Sequence, residues 1–509
     1  MTATRQEHSW RSWVAFAAMA IGMFFAILDI QIVASSLIDI QFALNIPPDR
    51  LSYLQTTYLI AEIVAIAMTG WLTRVLSTRW LFVCAMIGFV LFSVCCAAAP
   101  TYQWLFTFRA LQGFFGGAII PVIFTAAFRM FPPADQGKAT VLGGGLAMLA
   151  PTVGPFIGGW ITETLSWHWL FLINIGPGLL VAAIAARLIN IDKPDLKHAF
   201  TLDAVALASI TVCLATLELT LKEAPSLGWT SRPAAFLAFA CVLTGGWFVR
   251  RSLYRRAPLI DLSVFGDRTF VIGCVFSFVL GMALYGMTYL MPLFLGVVRQ
   301  HGPLTIGTIM MVTGAAQLLA APAAAALEQR MDARVMMALG YGLFAAGLIW
   351  NGFATYQWDF DELFWPQVLR GAAVMICLLP ATRLALGQLP ADKIANGSSV
   401  FNLMRNIGGA VGLAVIDTVL ELRPAHHVDR IVAALLDGDR DMALFVGLPP
   451  ERFTGMPLEE IDAATRQVVE PLVERAAAVA SFNEAWWLVG GLVGLALLAL
   501  PLMRKPSAD

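Results

Sequence analysis

Apolar residues run through this chain in long blocks, and polar residues gather between them. Fourteen blocks stand out, at 13–37, 53–72, 80–99, 103–128, 138–162, 168–189, 203–221, 233–250, 270–296, 304–327, 335–354, 363–388, 397–420 and 484–503. Each is close to or above the roughly 20 residues that a helix needs to cross the hydrocarbon of a bilayer. Most end at Pro, Gly or charge, and several hold an internal Pro or Gly, which packed helices in a membrane tolerate. The pattern predicts an all-α integral membrane protein with fourteen transmembrane helices. One connection, about 422–481, is much longer and amphipathic, and it predicts short helices such as Asp429–Leu436 and Glu459–Val479.

The basic residues orient these spans. With the first span entering from the cytoplasm, Arg74, Arg79, Arg129, Lys138, Arg187 and Arg268 all fall on the inner side. The short outer loops hold only Arg50, Lys222, Arg232 and Arg299. That bias puts both termini in the cytoplasm. A polar stretch, Met1 to Ser12, precedes an apolar run too long for a cleaved leader, so none is expected.

Composition narrows the class. Of 509 residues, 59% are hydrophobic and 13% charged, with a mean hydropathy of +0.74. The charged share is about half that of soluble proteins, which excludes disorder, a disulfide scaffold and a soluble enzyme. The net charge of −1 speaks against a nucleic-acid partner. The seven cysteines lie in apolar stretches without zinc spacing. No GxSxG, HExxH or Walker loop supports an enzyme or ATP drive.

The chain also repeats itself at an offset near 255. Pro133-Ala134-Asp135 returns as Pro390-Ala391-Asp392, and Arg109-Ala-Leu-Gln112-Gly113 as Gln367-Val-Leu-Arg370-Gly371. Gly154 and Gly158 return as Gly408 and Gly412. Parallel repeats with a site near the midplane mark transporters. The repeat divides the chain into an N-terminal six-helix bundle (1–190), an inserted helix pair with flanking linkers (191–256) and a C-terminal six-helix bundle (257–509) that carries the loop 422–481.

Several motifs resemble the major facilitator superfamily, in particular its fourteen-span drug:proton antiporters of the EmrB/QacA type. They are Leu28-Asp29-Ile30-Gln31-Ile32-Val33, Arg109-Ala110-Leu111-Gln112-Gly113, Gly154-Pro155-Phe156-Ile157-Gly158-Gly159 and Trp167-His168-Trp169-Leu170-Phe171-Leu172-Ile173-Asn174. Phe401 to Gly409 is also similar. The resemblance implies two pseudo-symmetric six-helix bundles plus an inserted pair, in a bacterial cytoplasmic (inner) membrane. It implies proton-driven efflux of hydrophobic small molecules, cationic ones included, with the proton gradient as energy source and no cofactor. In a Gram-negative host it further implies a periplasmic adaptor and an outer-membrane channel. The loop after span 2 departs from the family pattern: Arg74 stands in place of an Asp, and Ser77 in place of a Gly. Gln31 stands where the first-span motif has Thr.

Buried polar groups carry the expected chemistry. An ionised side chain inside a bilayer costs several kcal/mol unless paired, hydrated or neutralised, and a membrane-buried carboxylate is able to exchange a proton for cargo. Asp29 in span 1 and Glu62 in span 2 are the candidates, with Gln31 beside the first and Gln55 and Tyr58 on the helix stripe of the second. Arg109 and Gln112 are expected to couple the proton to movement. Gly154, Pro155, Gly158 and Gly159 permit close helix approach and a hinge. Arg370, Arg405 and Asp417 are secondary candidates; interhelical bonding is favoured for the two arginines and interfacial anchoring for Asp417. Glu218 is expected at the periphery. The competing readings are proton symport, export of a single metabolite, and a membrane enzyme or receptor.

Overall fold

A backbone surrounded by hydrocarbon must satisfy its own hydrogen bonds, and these uninterrupted apolar runs do so as helices. The computed structural model describes residues 10–47, 50, 53–196, 203–255, 258–449 and 463–502. The N-terminal half contains α1 (Trp10–Ser35), the short α2 (Leu37–Leu44), α3 (Tyr53–Ala97), α4 (Tyr102–Met130), α5 (Pro133–Thr164), α6 (Trp169–Leu172) and α7 (Ile175–Leu188). The inserted pair is α8 (Ala204–Leu227) and α9 (Arg232–Tyr254). The C-terminal half contains α10 (Arg268–Val297), α11 (Pro303–Arg330), α12 (Ala333–Asn351), α13 (Phe360–Leu386), α14 (Ile394–Leu436), α15 (Arg440–Val446) and α16 (Ala463–Leu495).

Among the described residues, thirteen helices are long and apolar enough to cross a membrane. One of them, α3, has 45 residues and would be about 68 Å long if straight, twice a hydrocarbon core. It breaks at Ser77, where φ is 72° and ψ is 161°, so it makes two crossings and the total is fourteen. That φ belongs to the region glycine favours, at the position where the family pattern has glycine. Asp192, beyond α7, braces the break. It accepts from the Thr78 backbone N–H (2.8 Å) and hydroxyl (2.9 Å), and pairs with Arg129 at 2.9 Å. The acid missing from this loop is thus supplied from elsewhere in the chain.

The long loop differs from the sequence expectation. Asp429–Leu436 is not a separate helix but the end of α14, which runs 43 residues without interruption. Likewise the segment up to Val479 is the start of α16; Glu459 lies outside the described residues. Pro424 and Pro471 sit inside these helices. The two extensions pack with α15 through Ile431, Leu435, Val446, Val473 and Ala477, and Glu484 of α16 ties back to Arg423 (2.7 Å) and His427 (3.0 Å). A helical cap results.

Two seams join the halves. Along one, α5 meets α11: Gly307 abuts Phe156, Gly314 abuts Thr152, and Gln317 donates to the Gly145 carbonyl at 3.3 Å. Along the other, α3 meets α14 on the side where α1 begins. Ser399 accepts from the Gly70 N–H (3.0 Å) and donates to the Ile66 carbonyl (2.6 Å), while Ser398 donates to Pro121 (2.7 Å). Toward the opposite face α8 and the turn after it bridge the two, through Tyr53–Glu223 (3.1 Å) on α3 and Trp229–Thr418 (3.0 Å) on α14. The inserted pair is clamped at its other end by Asp203, which pairs with Arg251 (2.6 Å) and Arg255 (3.0 Å).

Candidate functional site

Glycines set the first polar cluster. A side chain at Gly113 would collide with the backbone at Tyr58, and one at Gly117 with the backbone at Glu62. Helices α3 and α4 therefore approach closely enough to place Tyr58 beneath Arg109. The guanidinium lies 4.3 Å from the Tyr58 ring centre and 5.7 Å from that of Phe171. Arg109 pairs with Asp29 of α1 at 2.5 Å, and both side chains are fully buried. Gln112, one turn on, accepts from Arg109 (2.7 Å) and donates to Asp29 Oδ1 (3.0 Å) and to Ser93 Oγ (2.8 Å). Asn174, in the break between α6 and α7, donates to the same Oδ1 at 2.8 Å. Asp29 thus accepts three hydrogen bonds from three donors, at a point where α1, α3, α4 and the α6–α7 break converge.

A second cluster lies in the α3–α14 seam. Glu62 is 3% exposed and within electrostatic reach of Arg405, Tyr285 and Glu218. Arg405 donates to Asn402, and Tyr285 donates to Asn406 at 2.8 Å. Glu218 was expected at the periphery; instead α8 turns it toward this cluster, half-buried. Glu62 of the first half is thus within electrostatic reach of a cation of the second half and of a carboxylate of the inserted pair.

The remaining candidates scatter. The i, i+3, i+7 stripe divides: Tyr58 joins the Asp29 cluster and donates to the Ala26 carbonyl (3.2 Å), Glu62 joins the seam, and Gln55 is half-buried at the α3 end. Gln31 packs on Gly154, and Ser36 donates to the Gly158 carbonyl at 3.4 Å, so the glycines hold α5 against α1. Gly159 is buried and Pro155 half-buried, next to the Phe156–Gly307 contact. Asp417 lies near Tyr289. Arg370 is fully buried in α13. Sequence reasoning missed two members of the first cluster: Asn174, visible at the end of the Trp167 motif, and Ser93, which has no distinguishing signal.

Two helical halves that meet along polar seams, with compensated charges at mid-depth, are the architecture of a secondary transporter. The profile of the Major Facilitator Superfamily matches residues 19–413; the chain belongs to this superfamily. It is 42% identical over 431 residues to the Colistin resistance protein EmrB of Acinetobacter baumannii, spanning 84% of each chain. It is 28% identical over 426 residues to the Fatty acid resistance protein FarB of Neisseria gonorrhoeae, 82% of each. It is 25% identical over 498 residues to the Multidrug export protein EmrB of Escherichia coli, 96% of this chain and 94% of that one. Among solved structures, a POT family transporter in complex with a thioalcohol-conjugated peptide aligns with a TM-score of 0.61 at 12% identity, over 97% of this chain and 96% of that one. The proton:xylose symporter XylE aligns at 0.58, with the same identity and coverage. These two share the fold.

Proposed function

We propose that the protein is a proton-driven multidrug efflux antiporter of the EmrB/QacA type. It exports hydrophobic small molecules, cationic ones included, from the cytoplasm and inner leaflet of a bacterial cytoplasmic membrane. The face on which α1 begins is the cytoplasmic one, as the Lys and Arg distribution requires. The names of the relatives support export of toxic compounds.

The observation that carries the reading is Glu62, buried where the halves meet and within electrostatic reach of Arg405. Charged, it attracts the cation of the other half and favours a closed seam. Protonated or paired with a cationic substrate, it releases that attraction, and the halves separate. A proton and a substrate then compete for one carboxylate, which is the requirement for antiport. The Asp29–Arg109–Gln112 cluster acts within the first half: it locks four elements together, so any change in its charge is felt by the whole bundle. Asp29 is the second proton candidate, reached when the bundle opens. Gly154, Pro155, Gly158 and Gly159 let α5 tilt on α1 and α11.

Purified protein in proteoliposomes with an imposed pH gradient tests this. Substrate addition should drive protons opposite to the substrate in wild type. Glu62→Gln should lose that movement by more than tenfold while still binding substrate. Undiminished proton movement in both Glu62→Gln and Asp29→Asn would remove the carboxylates from the mechanism, and co-directional movement would make the protein a symporter.

The cap built by α14, α15 and α16 supports a further role, docking a periplasmic adaptor that leads to an outer-membrane channel. Leu422 and Leu444 are exposed on it. Replacing 431–475 by a short linker should impair export from cells but spare transport in proteoliposomes; equal loss in both sinks the docking role.

A further inference from the structure

Helix α8 of the inserted pair covers the α3–α14 seam toward the outer face, and its outer half carries Glu218, Lys222 and Glu223. Tyr53, at the outer start of α3, donates to Glu223 at 3.1 Å, and the Lys222 ammonium lies 3.9 Å from the Tyr53 ring centre. These contacts fix the depth of α8 against α3. Glu62 is nine residues inward of Tyr53, and Glu218 is five residues inward of Glu223. At about 1.5 Å of rise per residue, Glu62 lies about 14 Å below that shared level and Glu218 about 8 Å, so Glu218 is about 6 Å nearer the outer face.

Both carboxylates are loosely held. Among the described residues, neither Glu62 nor Glu218 takes part in an ion pair or a side-chain hydrogen bond, whereas Asp29 accepts three. Glu62 is buried and Glu218 half-buried. Glu218 is within electrostatic reach of Glu62 on α3, of Tyr285 on α10 and of Lys222 one turn outward; Arg405 of α14 is within reach of Glu62. Further out on α14 are Asp417 and Glu421, at the level of Thr418, which bonds Trp229 beyond the end of α8. Helix α9 has no acid and keeps its arginines near its ends; its Cys241 meets Cys213 of α8 at 3.8 Å, five residues inward of Glu218. An acid at membrane depth that ties no helices together needs another reason to be there. Two carboxyl groups that sense each other exchange protons as a pair.

We propose that Glu218 is the outer relay group of the proton path. A proton from the outer water binds the Glu218 carboxylate and passes to the Glu62 carboxylate, and Glu218 is left ionised for the next proton. The inserted pair then does more than brace the seam: it supplies the step by which protons reach the group that responds to cargo. The proposal rests on the reading of the protein as a proton-driven antiporter and adds to it the entry group.

Full-length protein in proteoliposomes tests it, with ethidium as the hydrophobic cation. Three quantities are read: proton movement on adding ethidium under a pH gradient, ethidium–ethidium exchange at equal pH, which needs no net proton, and unfolding temperature. Glu218→Gln should lose proton movement by about tenfold or more, and its residual rate should no longer rise as the outer side is acidified. Its exchange rate and unfolding temperature should match wild type. Glu218→Asp keeps a carboxyl group and should recover most of the proton movement. Undiminished proton movement in Glu218→Gln would overturn the relay and leave the antiport reading standing. Parallel loss of exchange and proton movement with a lowered unfolding temperature, unrelieved in Glu218→Asp, would make Glu218 structural and also overturn it. Absence of ethidium-coupled proton movement in wild type would overturn both readings.

Discussion

Asp29→Asn separates a paired structural charge from a proton carrier. The substitution keeps the shape of the side chain but removes its charge, leaving Arg109 buried and uncompensated. The amide has no good orientation either. Asp29 Oδ1 faces the donors of Gln112 and Asn174, and Oδ2 faces Arg109, so the new NH2 meets a donor whichever way it turns. Removing one partner of a buried pair costs about 3–5 kcal/mol. Asp29→Asn should therefore lower the unfolding temperature by about 6–20 °C, taking about 2–4 °C per kcal/mol for a unit of this size. Arg109→Met should cost a similar amount, because it strands the carboxylate. The double variant removes both charges and should cost no more than either single variant, a coupling of about 3 kcal/mol or more. Thermal unfolding of the four proteins in detergent reads this directly. Additive losses would mean that the two side chains do not depend on each other, and the proposed locking of the bundle would fail. Glu62→Gln is the contrasting case: with no direct ion pair to break, it should leave unfolding nearly unchanged while proton movement stops.

Other outcomes follow from single contacts. Ser77→Gly should stabilise the protein by about 1 kcal/mol, since a non-glycine residue at such φ and ψ costs about 1–3 kcal/mol; Ser77→Val should do the opposite, and unfolding temperatures compare them. Gly113→Ala and Gly117→Ala should each destabilise by about 1–3 kcal/mol, because the added methyl meets the α3 backbone, and monodisperse yield on size exclusion should fall with them. The hydrogen bond from Arg251 holds the Asp203 carboxyl down at about 2. Its contribution to stability is complete above the ordinary carboxyl pKa of about 4 and is lost as pH falls toward 2. The gap in unfolding temperature between wild type and Asp203→Asn should be flat from pH 7 to 5 and close below pH 4.

The spans were legible because run length alone decides whether a helix can cross a bilayer, and the Ser77 break falls in the polar gap between two runs. Asp29, Glu62, Arg109 and Arg370 were legible as unusual, because charge inside an apolar run demands an explanation. Their partners were not. Asp29 and Arg109 are 80 residues apart, and nothing local says that one neutralises the other while Glu62 faces a different half. Ser93 looked like any serine in a membrane helix, and it does donate to the Phe89 carbonyl (2.9 Å) one turn back, yet its oxygen also accepts from Gln112. The loop helices were misjudged because an amphipathic stretch beyond an apolar run does not say that the membrane helix continues into it, as α14 and α16 do with Pro424 and Pro471 inside them. Glu218 was misplaced because an amphipathic stripe does not say which neighbour it faces, and α8 covers the α3–α14 seam instead of lying apart in lipid.

The duplication explains why two arginines of similar origin end in opposite situations. Both halves keep an arginine and a glutamine on one turn of the helix that packs closely on its neighbour through Gly113 or Gly371. In the first half α1 adds Asp29, which neutralises Arg109, and Gln112, Asn174 and Ser93 bond within the same cluster. In the second half Arg370 forms no ion pair among the described residues; its Nε donates to the Pro366 carbonyl of its own helix, and α10 presents Met287 and Met291 beside it. The duplicated helix therefore carries an inter-helix ion pair in one half and a cation bonded only within its own turn in the other, so replacing the arginine should cost more in the first half, where it strands a carboxylate, than in the second.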